Sequence, residues 1–68
     1  MSVQVKLNGE PYELKDGATI AEAVAQLTAA PTGVAAAVNG DVVPRGSWAA
    51  TALRDGDQVE VVTAVQGG

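Results

Sequence analysis

The chain closes on Gln66, Gly67 and Gly68, and this pair of glycines is the feature whose type and position point most directly to chemistry. With average glycine usage of about 7%, two terminal glycines arise by chance in roughly one chain in two hundred. Lacking a Cβ, such a pair lies extended in a narrow channel and sets a terminal carboxylate against a nucleotide held by another protein. From Val65 to Gly68 the reach is on the order of 13 Å, at about 3.3 Å per residue. The plain alternative is a frayed end, as most termini are. Little else in the chain can react. Its 68 residues include no Cys and no His, which removes the thiolate nucleophile, the imidazole base and the common zinc ligands. No isolated pair of carboxylates stands out as acid and base. The composition therefore points to a protein that is acted upon, not to an enzyme, with no metal and no cofactor of its own.

Eight acidic residues against four basic ones give a formal net charge of -4. Nucleic acid and anionic lipid both repel such a surface, whereas a basic protein partner suits it. Met1 to Lys6 alternate in polarity, unlike the charged and then apolar halves of a signal peptide. No apolar run approaches the roughly 20 residues that span a bilayer. The expectation is a soluble, cytoplasmic protein without a membrane partner.

The glycines need a scaffold, and the periodicities describe one. Val3, Val5 and Leu7 alternate with Ser2, Gln4 and Lys6, which predicts a strand with one face on a core. Asn8-Gly9 is a favoured pair for a type I′ turn, so a return strand follows through Pro11, Tyr12, Glu13 and Leu14 up to Asp16-Gly17. Thr19 and Glu22 have capping-box spacing, and Ile20, Ala23, Val24 and Leu27 form one apolar helical stripe, predicted to cover the hairpin. Pro31 and Gly33 are expected to end that helical stretch. Val34 to Val38 reads as a strand, a second turn at Asn39-Gly40 leads to a short strand, and Pro44 marks an edge or a strand end. Ser47 is expected to cap a single turn holding Trp48, Ala49 and Ala50. After the Asp55-Gly56-Asp57 turn, Val59, Val61 and Thr63 alternate in a last strand. The order predicts an α+β fold, with a mixed sheet of four to five strands, one packed helix, and the first and last strands as the central pair.

Three segments together resemble the thiamine-biosynthesis sulfur carrier family, ThiS. They are Val38-Asn39-Gly40-Asp41-Val42-Val43-Pro44-Arg45 with Trp48, then Leu53 to Val62, and the end Thr63-Ala64-Val65-Gln66-Gly67-Gly68. Asn8-Gly9-Glu10 and the helix from Thr19 fit more loosely but in the right order, so the resemblance covers nearly the whole chain. It implies a ubiquitin-like β-grasp domain over residues 1–64 and a flexible C-terminal tail over 65–68. It also implies a mechanism. An adenylating, E1-like activating enzyme uses ATP and magnesium to adenylate the carboxylate of Gly68, and sulfur from a donor protein replaces AMP to leave a thiocarboxylate. Thiazole synthase then accepts the sulfur. Gly67, Gln66 and Val65 would thread into the partner sites, and the partners would supply every catalytic group.

The remaining motif residues have simpler readings. Asn39-Gly40 and Asp55-Gly56 read as turns, and Trp48 as core. Arg45 and Arg54 read as solvated or locally paired. Asp55, Asp57 and Glu60 form either a solvated turn or an acidic docking patch. If Val59 and Val61 face the core, Val62 and Ala64 face outward beside the tail as a docking surface, unless a sheet edge buries them. Related carriers serve molybdopterin synthesis, tRNA thiolation or a cysteine-forming pathway, although Val65-Gln66 looks closer to the thiamine carriers. From another class, the middle and end motifs also resemble the TGS domain, a ligand-binding module with no need of free glycines.

Overall fold

The computed structural model describes residues 1–28 and 33–63, and of Thr63 only the backbone. Strand β1 (Ser2–Leu7) buries Val3, Val5 and Leu7 and exposes the residues between them, as the alternation predicts. Asn8 and Gly9 take φ of 53° and 84°, the two positive values that a type I′ turn demands. The chain returns antiparallel as β2 (Glu10–Lys15), which places Tyr12 opposite Val5 and Leu14 opposite Val3.

Helix α1 (Ile20–Leu27) starts with both halves of the capping box. The Glu22 amide donates to Thr19 Oγ1 at 3.3 Å, and the Thr19 amide donates to Glu22 Oε1 at 3.0 Å. Ile20, Ala23 and Val24 are buried and Leu27 packs against the same core, so the stripe closes over Leu7, Leu14 and Val59. The helix stops earlier than expected. Thr28, not the Pro31-to-Gly33 stretch, turns extended, with φ -150° and ψ 141°, and its amide donates to the Val24 carbonyl. Pro31 itself lies outside the described residues.

Strand β3 (Val34–Val38), a second positive-φ turn at Asn39 and Gly40, and β4 (Asp41–Val43) make the other hairpin. Pro44 follows immediately, which suits an edge strand because proline cannot extend the ladder. The single turn runs as a 3-10 helix from Arg45 to Ala50, two residues ahead of Ser47. Ser47 makes no side-chain cap: Pro44 occupies the cap position, and the Ser47 amide donates to the Pro44 carbonyl at 2.8 Å. Trp48 is buried, with Nε1 donating to the Val43 carbonyl at 2.8 Å, so its large apolar body joins the core without stranding its polar atom. Residues 51 to 53 are stitched to the start of α1 through Ile20 N to Thr51 O and Leu53 N to Ala18 O.

Strand β5 (Gln58–Thr63) runs between the two hairpins, parallel to β1 and antiparallel to β3. The sheet order is β2-β1-β5-β3-β4. This mixed sheet of five strands carries α1 on one face, and the first and last strands are its central pair.

Candidate functional site

The residues expected to do the chemistry follow β5, so the site is built from what holds that strand. Its start is fixed from both sides. On the β1 side, Asp55 Oδ1 accepts from the Gln4 amide at 2.7 Å, the Gly56 amide donates to the Gln4 carbonyl, and the Lys6 amide donates to the Asp57 carbonyl. On the β3 side, Asn39 Oδ1 accepts from the Gln58 amide at 3.1 Å and the Asn39 amide donates to the Gln58 carbonyl. Asp57 joins the two: Oδ1 accepts from Asn39 Nδ2 at 3.0 Å and Oδ2 accepts from the Arg54 amide at 2.8 Å. Asp55 and Asp57 are therefore built into the sheet's stitching. Glu60 remains exposed, opposite Ala37.

The far end of β5 is held differently. The last β1 residue in register is Leu7, opposite Val59, and the Asn8 amide donates to the Val59 carbonyl at 2.9 Å. Beyond that point the Asn8 side chain takes over. Its Oδ1 accepts from the Val61 amide at 2.8 Å, and its Nδ2 donates to the Val61 carbonyl at 3.1 Å. One carboxamide thus does what the next residue of a parallel strand would do. The sequence shows Asn8 as a turn residue, and only the parallel register reveals that its side chain reaches 53 positions along the chain.

Val62 lies on the outer face of the sheet, 59% exposed, across β3 from Val42, which is 75% exposed. The register explains their proximity. Val62 pairs with Ala35, Val42 pairs with Ala37, and Ala35 and Ala37 are two apart on β3 and so share that face. The result is an apolar field on three strands, bordered by Glu60 and, on the β1 side, by Gln4, Lys6 and Gln58. Ala64, Val65, Gln66, Gly67 and Gly68 lie outside the described residues.

Arg45 sits 6.0 Å from the centroid of the Trp48 ring, at the outer limit of a cation–π contact. No group of three acidic, His or Cys residues among those described is placed to hold a metal ion. A shallow hollow between β2 and α1, lined by Leu14, Ala18 and Glu22, is formed by none of the residues that hold or flank β5. No helix among the described residues is long and apolar enough to cross a membrane.

Comparison with known proteins agrees with this geometry. The ThiS family model matches residues 5–68. A sulfur carrier protein ThiS from Escherichia coli is 33% identical over 66 residues, covering 97% of this chain and the whole of that protein. A thiazole synthase from Magnetococcus marinus is 39% identical over 66 residues, and there the chain spans only 20% of the relative's length. The crystal structure of a thiamine biosynthesis protein (ThiS) from Geobacter metallireducens superposes with a TM-score of 0.78 at 29% identity, covering 97% of this chain and 100% of that one. The five-stranded sheet with its single α-helix is accordingly a ubiquitin-like β-grasp.

Proposed function

This chain belongs to the ThiS family and is a sulfur carrier of thiamine biosynthesis, not an enzyme; from that premise we propose that its working group is the carboxylate of Gly68. The observation that carries the reading is the extent of the family match, which continues through Gly67 and Gly68 directly from the central strand β5. A carboxylate is a poor electrophile, so it needs a better leaving group. One carboxylate oxygen attacks the α-phosphorus of ATP and displaces pyrophosphate, with magnesium and ATP bound by an adenylating partner. Hydrosulfide supplied by a sulfur donor protein then attacks the carbonyl carbon, expels AMP and gives up its proton, leaving a terminal thiocarboxylate.

Val65, Gln66 and Gly67 thread through the partner's channel, while the apolar field around Val62 and Val42 rests on the partner's surface, as does Ala64. That a stretch similar to nearly all of this chain lies within the thiazole synthase of Magnetococcus marinus supports thiazole synthase as the acceptor of the sulfur. The carrier works in the cytoplasm, where ATP is at hand.

Intact-mass measurement tests the proposal. With an activating enzyme, magnesium-ATP and a sulfur source, the chain gains the mass difference between sulfur and oxygen, and a chain lacking Gly68 gains nothing. A Gly68-deleted chain that still supported thiazole formation would overturn it.

A further inference from the structure

The two Asn-Gly turns lie on opposite sides of β5 and grip it at opposite ends. Asn39 holds Gln58, where the strand begins, and Asn8 holds Val61, where it runs out toward residues 64–68. On the β1 side, every second residue from Asp57, just before β5, offers backbone groups to the neighbouring strand: the carbonyls of Asp57 and Val59, then the amide and carbonyl of Val61. β1 supplies partners as far as Asn8 and then turns away with φ of 53° at Asn8 and 84° at Gly9. Among the described residues, the Asn8 carboxamide is consequently the last hydrogen-bonding constraint on that flank of β5.

Resting on the carrier reading above, we propose that Asn8 is a positioning residue for charging of the C-terminus: its paired hydrogen bonds to Val61 hold the end of β5 in the sheet, and so fix the point from which the chain is presented to the activating site. Orientation of this kind acts on the rate of the chemical step, because a reacting atom displaced by about 1 Å can lower the rate about 100-fold. It does not act on docking of the outer face, which Asn8 does not form. The partner sensed through this contact is an adenylating protein with a narrow channel. In it the terminal carboxylate must meet the α-phosphorus of a bound nucleotide.

Two variants separate aim from general loosening. Asn8→Gly keeps the positive φ of the turn at no steric cost and removes both bonds to Val61; Asn39→Gly likewise keeps its turn and removes the side-chain bonds to the Gln58 amide and to Asp57 Oδ1 at the other end of β5. Amide exchange measured on the free proteins is expected to rise at least tenfold at Val61 only in Asn8→Gly, and at Gln58 only in Asn39→Gly. In thiocarboxylate formation with the activating enzyme, ATP and sulfur source, Asn8→Gly is expected to lower kcat about tenfold with KM unchanged, and Asn39→Gly to leave both unchanged. Equal losses in the two variants, or a loss in KM alone, would refute the positioning role. So would an unchanged kcat in Asn8→Gly while the wild-type chain is charged normally. Failure of the carrier reading shows itself differently, as a wild-type chain that gains no mass at all.

Discussion

At the scale of single residues, the clearest agreement between sequence and structure is the pair Thr19 and Glu22. A hydroxyl and a carboxylate three positions apart have one local use, and the two bonds they form satisfy amides that the first helical turn leaves free. Thr19→Ala is expected to lower stability by about 1 kcal/mol in urea denaturation, because the cap is lost while the core is untouched. Glu22 also meets Lys15 Nζ at 3.0 Å. That hydrogen bond first, and the Thr19 amide second, hold its carboxyl below its ordinary value, against an opposing effect of desolvation. A carboxyl whose folded pKa is depressed contributes stability above its unfolded pKa and loses it as pH falls through the folded one. Stability should thus decline on acidification from about pH 5 downward, and Glu22→Gln should flatten that decline. A melting series between neutral and acidic pH in which the two proteins lose stability in parallel would exclude Glu22 as a contributor.

At the scale of elements, both hairpins and the helix start were legible because each rests on a short-range signal, and the central pairing of β1 with β5 followed from the order of the elements along the chain. Period-two alternation sets the face of a strand, and Asn-Gly sets a turn that needs two positive φ values. The elements that differ are those decided by long-range packing. Ser47 looks like a cap, yet Pro44 leads straight into a 3-10 turn, and the anchoring of Trp48 Nε1 on Val43 sets where that turn lies. The side-chain stitching by Asn8, Asn39, Asp55 and Asp57 was invisible for the same reason, since its partners lie up to 53 residues away. Trp48 therefore matters to more than its own turn. Trp48→Ala is expected to cost about 3–5 kcal/mol, enough to unfold most of so small a domain at room temperature. Far-ultraviolet circular dichroism would register the loss, and a variant still folded with an ordinary melting transition would contradict the weight given to that ring.

At the scale of the whole molecule, the sheet divides its labour between faces and along its length. The inner face is spent on the core that α1 closes, and the outer face is polar across β1, β2 and the start of β5 but apolar from Val62 across Ala35 and Ala37 of β3 to Val42 of β4. An apolar field beside the strand that leads to the C-terminus fits a surface on which a partner lands before it acts, whereas Asn8 bears on what happens after landing. The two roles predict opposite kinetic signatures. Val62→Lys and Val42→Lys place a charge on exposed positions, so each is expected to change stability by no more than about 0.5 kcal/mol. In the charging reaction each is expected to raise KM about tenfold and leave kcat alone, because a desolvated charge weakens association without redirecting the terminal carboxylate. The sequence foresaw Val62 facing outward from alternation alone, but Val42 joins it only through the register of β3 with its two neighbours. If the lysine at 62 raised KM and the lysine at 42 did not, the landing surface would be confined to β5, and the three-strand field would be too broad a description of it.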